Sequence, residues 1–323
     1  MAEQDPPIVP SSGGLAPDAP FIERYGIHPV LFGFISLFVV FVAYEVIGGT
    51  VTYLLFGITP TSGNIAGYRI LTGSAELLLL LLPALFLVRF ATFSPREYMR
   101  VRTPAIGAVL VPIVGIFSLQ QMLQVYLVFQ ERIPLPAEAQ HFLDQFKEMF
   151  EEAYRVLVSS NSWGEFLVVT LIVGVIPALS EEFLFRGLVQ RSLEKGLGPL
   201  PGMVLTGILF AVYHLNPFSF VPLVVLGIYL GFLAQRSGSI WVSVAAHFTN
   251  NAMACLAAFL HFDDETVIAG KIETLSSGWL LAVFWFFGII FLLSTLYFVQ
   301  ITRPPADAGP EPGSAPGAGE ASA

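Results

Sequence analysis

The sequence is short of charge. Lys, Arg, Asp and Glu make up 12% of its 323 residues, about half of the ~25% found in an average globular protein. The hydrophobic fraction is 55% and the mean hydropathy +0.73, more apolar surface than one or two water-soluble domains can bury. Lipid is therefore the expected solvent. Basic runs are also missing and the net charge is -9. Because neutralising phosphates takes clustered Lys and Arg, nucleic acid is excluded as a partner. The single cysteine, Cys255, excludes an intramolecular disulfide and any multi-cysteine metal site. No apolar window alternates with the period of two that a membrane β-barrel requires.

Long apolar runs are what the chain has instead. A helix needs roughly 20 apolar residues to cross the ~30 Å hydrocarbon core. Eight runs meet that measure, near 30–55, 68–90, 104–129, 163–188, 199–215, 218–235, 239–260 and 277–301. The expected fold class is all-α, a polytopic transmembrane helical bundle of about eight spans. The fifth and sixth runs are short, and Pro217 and Pro222 lie near the turn that joins them. Residues 1–27, rich in Pro, Ser and Gly and lacking a basic start, read as a disordered tail and not as a signal peptide. Residues 28–162 hold the N-terminal spans and an outer helix, 163–262 a membrane core rich in polar motifs, and 263–303 the last span. Residues 304–323 form a second disordered tail. This composition fits a bacterial inner-membrane protein.

An even number of spans places both termini on one side of the membrane. With the termini cytoplasmic, the inner segments hold Arg24, Arg89, Arg96, Arg100, Arg102, Arg186, Arg191, Lys195, Arg236 and Arg303. The outer ones hold Arg69, Arg132, Lys147, Arg155 and Lys271, a division that follows the positive-inside rule. Residues 138–157 place Phe142, Phe146, Met149, Phe150, Tyr154 and Leu157 on one helical face with carboxylates opposite. That is an amphipathic helix, read as a surface-resting connector in preference to a substrate gate.

Charge within a span is costly in lipid, so each such residue is a functional candidate. Glu45 and Glu76 are isolated and read as structural. On the fourth span, Glu181 and Glu182 are adjacent and so point about 100° apart. Glu182 and Arg186 stand at i and i+4 with the acid first, the favoured order for an ion pair, which leaves Glu181 to face another helix. Pro177 should kink this span and free a carbonyl. Phe210 and His214 share a helix face, as do His247 and Asn251, with Asn250 a second amide. Taken singly, these histidines and amides read equally as interhelical glue. At 1.5 Å per residue, Glu181 and His247 come out near mid-membrane, and His214 joins them if its short span is tilted or begins late.

In this order, EExxxR, FxxxH and HxxxN resemble the CPBP family of intramembrane proteases, also called the Abi or type II CAAX prenyl endopeptidase family. The residues are Glu181, Glu182 and Arg186; Phe210 and His214; His247 and Asn251, with the resemblance running over about 163–255. It implies that 163–262 is the catalytic core and that peptide bonds of membrane-associated proteins or peptides are cleaved. It also implies Glu181 as the base, His214 as its partner on water, and His247 with Asn251 as oxyanion donors. Glu182, Arg186, Phe210 and Asn250 support them. Zinc on Glu181, His214 and His247 is a second possibility, but with Glu182 paired to Arg186 a zinc site lacks its general base. The expectation is therefore an enzyme with no metal and no cofactor. Two other classes stay open: a proton-coupled transporter, against which stands the lack of a half-chain repeat, and a non-catalytic binding or immunity protein.

Overall fold

The computed structural model describes residues 19–57, 60–61, 63–134, 136–261 and 276–302. It is helical throughout, with no strand among the described residues. Among the described residues nine main helices follow in order: α1 (Pro29–Phe56), α2 (Ile65–Ala91), α3 (Ile106–Glu131), α4 (Ala137–Val158), α5 (Trp163–Leu197), α6 (Pro199–Tyr213), α7 (Phe220–Ser237), α8 (Ile240–Phe259) and α9 (Ser277–Ile301). Within the stretch read as an N-terminal tail, Phe21–Arg24 forms one helical turn and buries Ile22. The rest of that tail up to residue 18, the tail 304–323 and the stretch 262–275 lie outside the described residues.

The helix starts follow from local chemistry. Pro29 opens α1 behind His28, whose Nδ1 accepts from the Val30 amide. Ser162 caps α5 and Ser276 caps α9, each hydroxyl accepting an amide of the first turn. Gly198 (φ +91°) breaks the chain between α5 and α6, and Gly238 (φ +64°) ends α7.

Helical segments occupy all eight expected runs, but six are long and apolar enough to cross a membrane. The shortfall has two physical causes. Helix α6 has 15 residues, about 22 Å at 1.5 Å per residue. Helix α8 is 20 residues long, but His247, Thr249, Asn250 and Asn251 dilute its apolar character. Helix α5 runs 35 residues without a break, well past the expected end near 188.

Pro177 does not interrupt α5. The wider π-helical turn Thr170–Val175 lies directly before it, and the π-turn Glu76–Leu81 likewise precedes Pro83 in α2. A π-turn takes up the missing proline N–H by shifting the bonding register. Two further π-turns, Val42–Gly48 in α1 and Phe183–Val189 in α5, leave Glu45, Glu76 and Glu182 in or beside such turns.

Helix α5 is the centre of the bundle: residues 184–189 are all buried, and Phe185, Leu188 and Leu193 pack with Phe210, Leu230 and Leu233. Helix α9 packs on α3 and turns Trp285, Phe286, Leu293 and Leu296 outward, as lipid requires.

Candidate active site

Three elements bring the candidate residues together. Helix α5 supplies Glu181, Glu182 and Arg186, α6 ends at His214, and α8 supplies His247. Helix α6 starts at Pro199, as expected, and His214 reaches Glu181 because α5 runs on to Leu197 and the 15-residue α6 retraces that length.

Glu182 and Arg186 are both fully buried, with Arg186 Nη1 2.8 Å from Glu182 Oε1, as the i, i+4 spacing predicts. The contact is an ion pair more than an aligned hydrogen bond. The aligned bond runs from Arg186 Nη2 to the Gly227 carbonyl of α7, at 3.0 Å. The Arg186 guanidinium also lies 4.6 Å from the centroid of the buried Phe210 ring. That ring in turn meets His214 at 4.5 Å and His247 at 6.0 Å. Phe210 is thus the apolar platform on which both imidazoles and the guanidinium rest.

Each histidine is fixed through Nδ1. His214 Nδ1 donates to the Phe210 carbonyl at 2.7 Å, and His247 Nδ1 donates to Glu182 Oε1 at 2.9 Å. Carbonyls and ionised carboxylates only accept, so both protons sit on Nδ1 and both Nε2 atoms face the interior. There they meet one oxygen: Glu181 Oε2 lies 3.7 Å from His214 Nε2 and 3.9 Å from His247 Nε2. Glu181 Oε2 is buried and makes no hydrogen bond among the described residues. Separations this long suit groups joined through a shared small molecule.

Asn251 stands one turn beyond His247 on the same face of α8. Asn250 donates to its carbonyl oxygen at 3.2 Å, which leaves the Asn251 NH2 group as the free donor. No side-chain hydrogen bond joins Asn251 to Glu181, His214 or His247 among the described residues.

Several partners lie outside the motifs. The Gly227 carbonyl holds Arg186, and one turn on the Gly231 carbonyl accepts from Gln190 at 3.2 Å. Gly227 and Gly231 form a small-xxx-small pattern, a signal of close helix contact present in the sequence. Glu76 is buried and accepts from Tyr44 at 3.2 Å, a partner 32 residues away that helical periodicity does not reveal. Arg69, counted with the outer charges, lies buried within α2. It donates to the Val156, Leu157 and Ser159 carbonyls at the end of α4 and pairs with Glu165.

A multi-pass helical bundle with acids and imidazoles converging at mid-depth defines a class, the polytopic membrane proteins with polar chemistry inside the bilayer. Residues 163–253, from the start of α5 to the middle of α8, match the family model described as Type II CAAX prenyl endopeptidase Rce1-like. Over this part the chain is similar to the CPBP, or CAAX protease, family. No curated protein and no solved structure matches the chain.

Proposed function

We propose that the chain is an intramembrane endopeptidase of the glutamic type, cleaving peptide bonds of membrane-associated proteins or peptides. The observation that carries this reading is the approach of Glu181 Oε2 to both Nε2 atoms while each Nδ1 is tied from behind. A water molecule shared by Glu181 and His214 is a nucleophile held at two points. Glu181 takes its proton as the oxygen attacks the scissile carbonyl. The developing oxyanion is held by His247 Nε2–H and the Asn251 NH2 group, donors commonly worth ~3 kcal/mol each. The C–N bond then breaks and the departing amine takes the proton from Glu181.

The role of His247 carries a condition. With Nδ1–H given to Glu182, a neutral imidazole has a bare Nε2 and cannot donate, so the oxyanion role needs the imidazolium.

A zinc-dependent version of the same protease is the second reading. It is favoured by the anchoring of each Nδ1, the arrangement usual behind zinc-bound imidazoles; against it, no three His, Cys, Asp or Glu side chains among the described residues are grouped closely enough to hold a metal ion. Such a site would supply Lewis acidity, but with Glu181 as ligand the next carboxylate, Glu182, is taken by Arg186 and His247. One preparation tests both readings. Glu181→Gln should lower cleavage of a membrane-tethered peptide by about 10³-fold with unchanged thermal unfolding, and chelator-washed wild type should stay active without stoichiometric zinc. Wild-type cleavage rates in Glu181→Gln would refute the base, and zinc tracking with activity would refute the metal-free reading.

A further inference from the structure

A cavity of about 370 Å³ lies between α1 and α2, and its wall includes Tyr44, Glu45, Thr52, Tyr53, Tyr68 and Thr72. Gly49 and Gly57 on its wall leave open space where a side chain would stand, and the π-turn Val42–Gly48 of α1 lies alongside. The cavity follows α1 from Glu45 to Gly57, roughly 18 Å of helix at 1.5 Å per residue. That is about the length of five residues of extended peptide.

The lining carries a carboxylate and three phenol rings and no Lys or Arg. Glu45 makes no hydrogen bond or ion pair among the described residues. Behind the wall, Tyr44 donates to Glu76, whose second oxygen is buried without a hydrogen bond. Glu76 opens the π-turn that packs against the stretch of α5 carrying Glu181. Glu45, Glu76 and Glu181 interact electrostatically with one another. An apolar occupant would leave Glu45 without a partner at membrane depth, where an unpaired carboxylate is costly, and an amide could donate to it but would leave its charge unbalanced. A protonated amine or guanidinium is matched by the acid and by the ring faces alike.

We propose that this cavity is a substrate subsite that receives a Lys or Arg side chain of the peptide near the scissile bond, with Glu45 as its counter-ion. This rests on the protease reading above, and it adds a preference that the catalytic cluster does not supply.

The test uses the full chain in lipid nanodiscs and a set of membrane-anchored peptides. Each peptide carries Lys at one of successive positions around the cleaved bond, or Met there as an uncharged chain of similar length. Kd and cleavage rate are both measured. At one position Lys should bind about tenfold tighter than Met. Glu45→Gln should bring the Lys-to-Met ratio to within about twofold, and so should Thr72→Lys, which puts a cation into the cavity without removing the acid. An N-acetylated copy of each peptide separates the side chain from a free terminal amine; loss of the preference on acetylation would overturn the assignment to a side chain. Equal Lys and Met affinities in the wild type, or a preference kept in both variants, would overturn the proposal. Because binding is read separately, absent cleavage with an intact Lys preference would count against the protease reading and not against the cation site.

Discussion

Glu182 Oε1 is approached from two sides, by Arg186 Nη1 at 2.8 Å and by His247 Nδ1 at 2.9 Å. The first contact concerns stability, because breaking a fully buried pair leaves a charge stranded at a cost of about 3–5 kcal/mol. The second concerns chemistry, because the carboxylate holds Nδ1–H and so turns the Nε2 edge of the ring toward Glu181. The two roles separate in a double variant. Glu182→Gln alone should be strongly destabilised and should lose roughly 10²-fold in kcat with little change in KM. Adding Arg186→Met removes the stranded cation, so thermal stability should largely return. Activity should not return, since His247 still faces a neutral amide. Recovery of kcat together with stability would show Glu182 to be a structural acid alone.

At the scale of elements, the site depends on how closely α6 and α7 cross. A Cβ built on Gly207 would stand 2.8 Å from the Ile228 backbone nitrogen, and one on Gly227 would stand 2.9 Å from the Gly207 Cα. The crossing holds the Gly227 carbonyl on Arg186 and, through α6, Phe210 beneath both histidines. Gly207→Ala should therefore push the helices apart, costing about 1–3 kcal/mol in thermal unfolding and lowering cleavage in the fraction that stays folded. Gly164→Ala, at a position with nothing within 4 Å, should stay within about 0.5 kcal/mol of wild type. Equal effects would dismiss the crossing as a determinant. The same crossing marks where the sequence is legible. The pairing of Glu182 with Arg186, the freedom of Glu181 and the shared face of Phe210 and His214 all follow from helical spacing within one element. Which helices become neighbours does not, and so the Tyr44–Glu76 bond, the burial of Arg69 and the second role of Glu182 were hidden. The π-turns were equally hidden, because Pro83 and Pro177 are absorbed by a change of register that apolar patterning does not record. The short α6, which made the fifth run ambiguous in sequence, is what delivers His214 to Glu181.

For the molecule as a whole, the bundle has two unlike ends. One gathers both ends of the described chain: Arg236 donates to the Val299 carbonyl, and Arg100 and Arg191 converge on Glu194 at 2.8 and 2.5 Å. At the opposite end α4 is fastened by Arg69 and by the ion pair of Lys147 with Glu131 at the end of α3. Glu194 neutralises part of the first end, but the orientation rule counts Lys and Arg, with little weight for acids, so that end should be cytoplasmic. The consequence reaches the catalytic cluster. The turn that follows His214 leads to the α4 end, where Phe218 meets Phe150 at 6.4 Å and its carbonyl accepts from Gln130. In this orientation the cluster is joined to the outer face by the turn that α4 covers. Cysteine labelling of intact cells with a membrane-impermeant reagent tests it in a Cys255→Ser background, which removes the native buried thiol. Glu148→Cys, exposed on α4, should label at once, and Ser314→Cys should label only after the membrane is opened. The reverse pattern would put the termini outside and turn the α4 face toward the cytoplasm, and with it the side from which a substrate reaches Glu181.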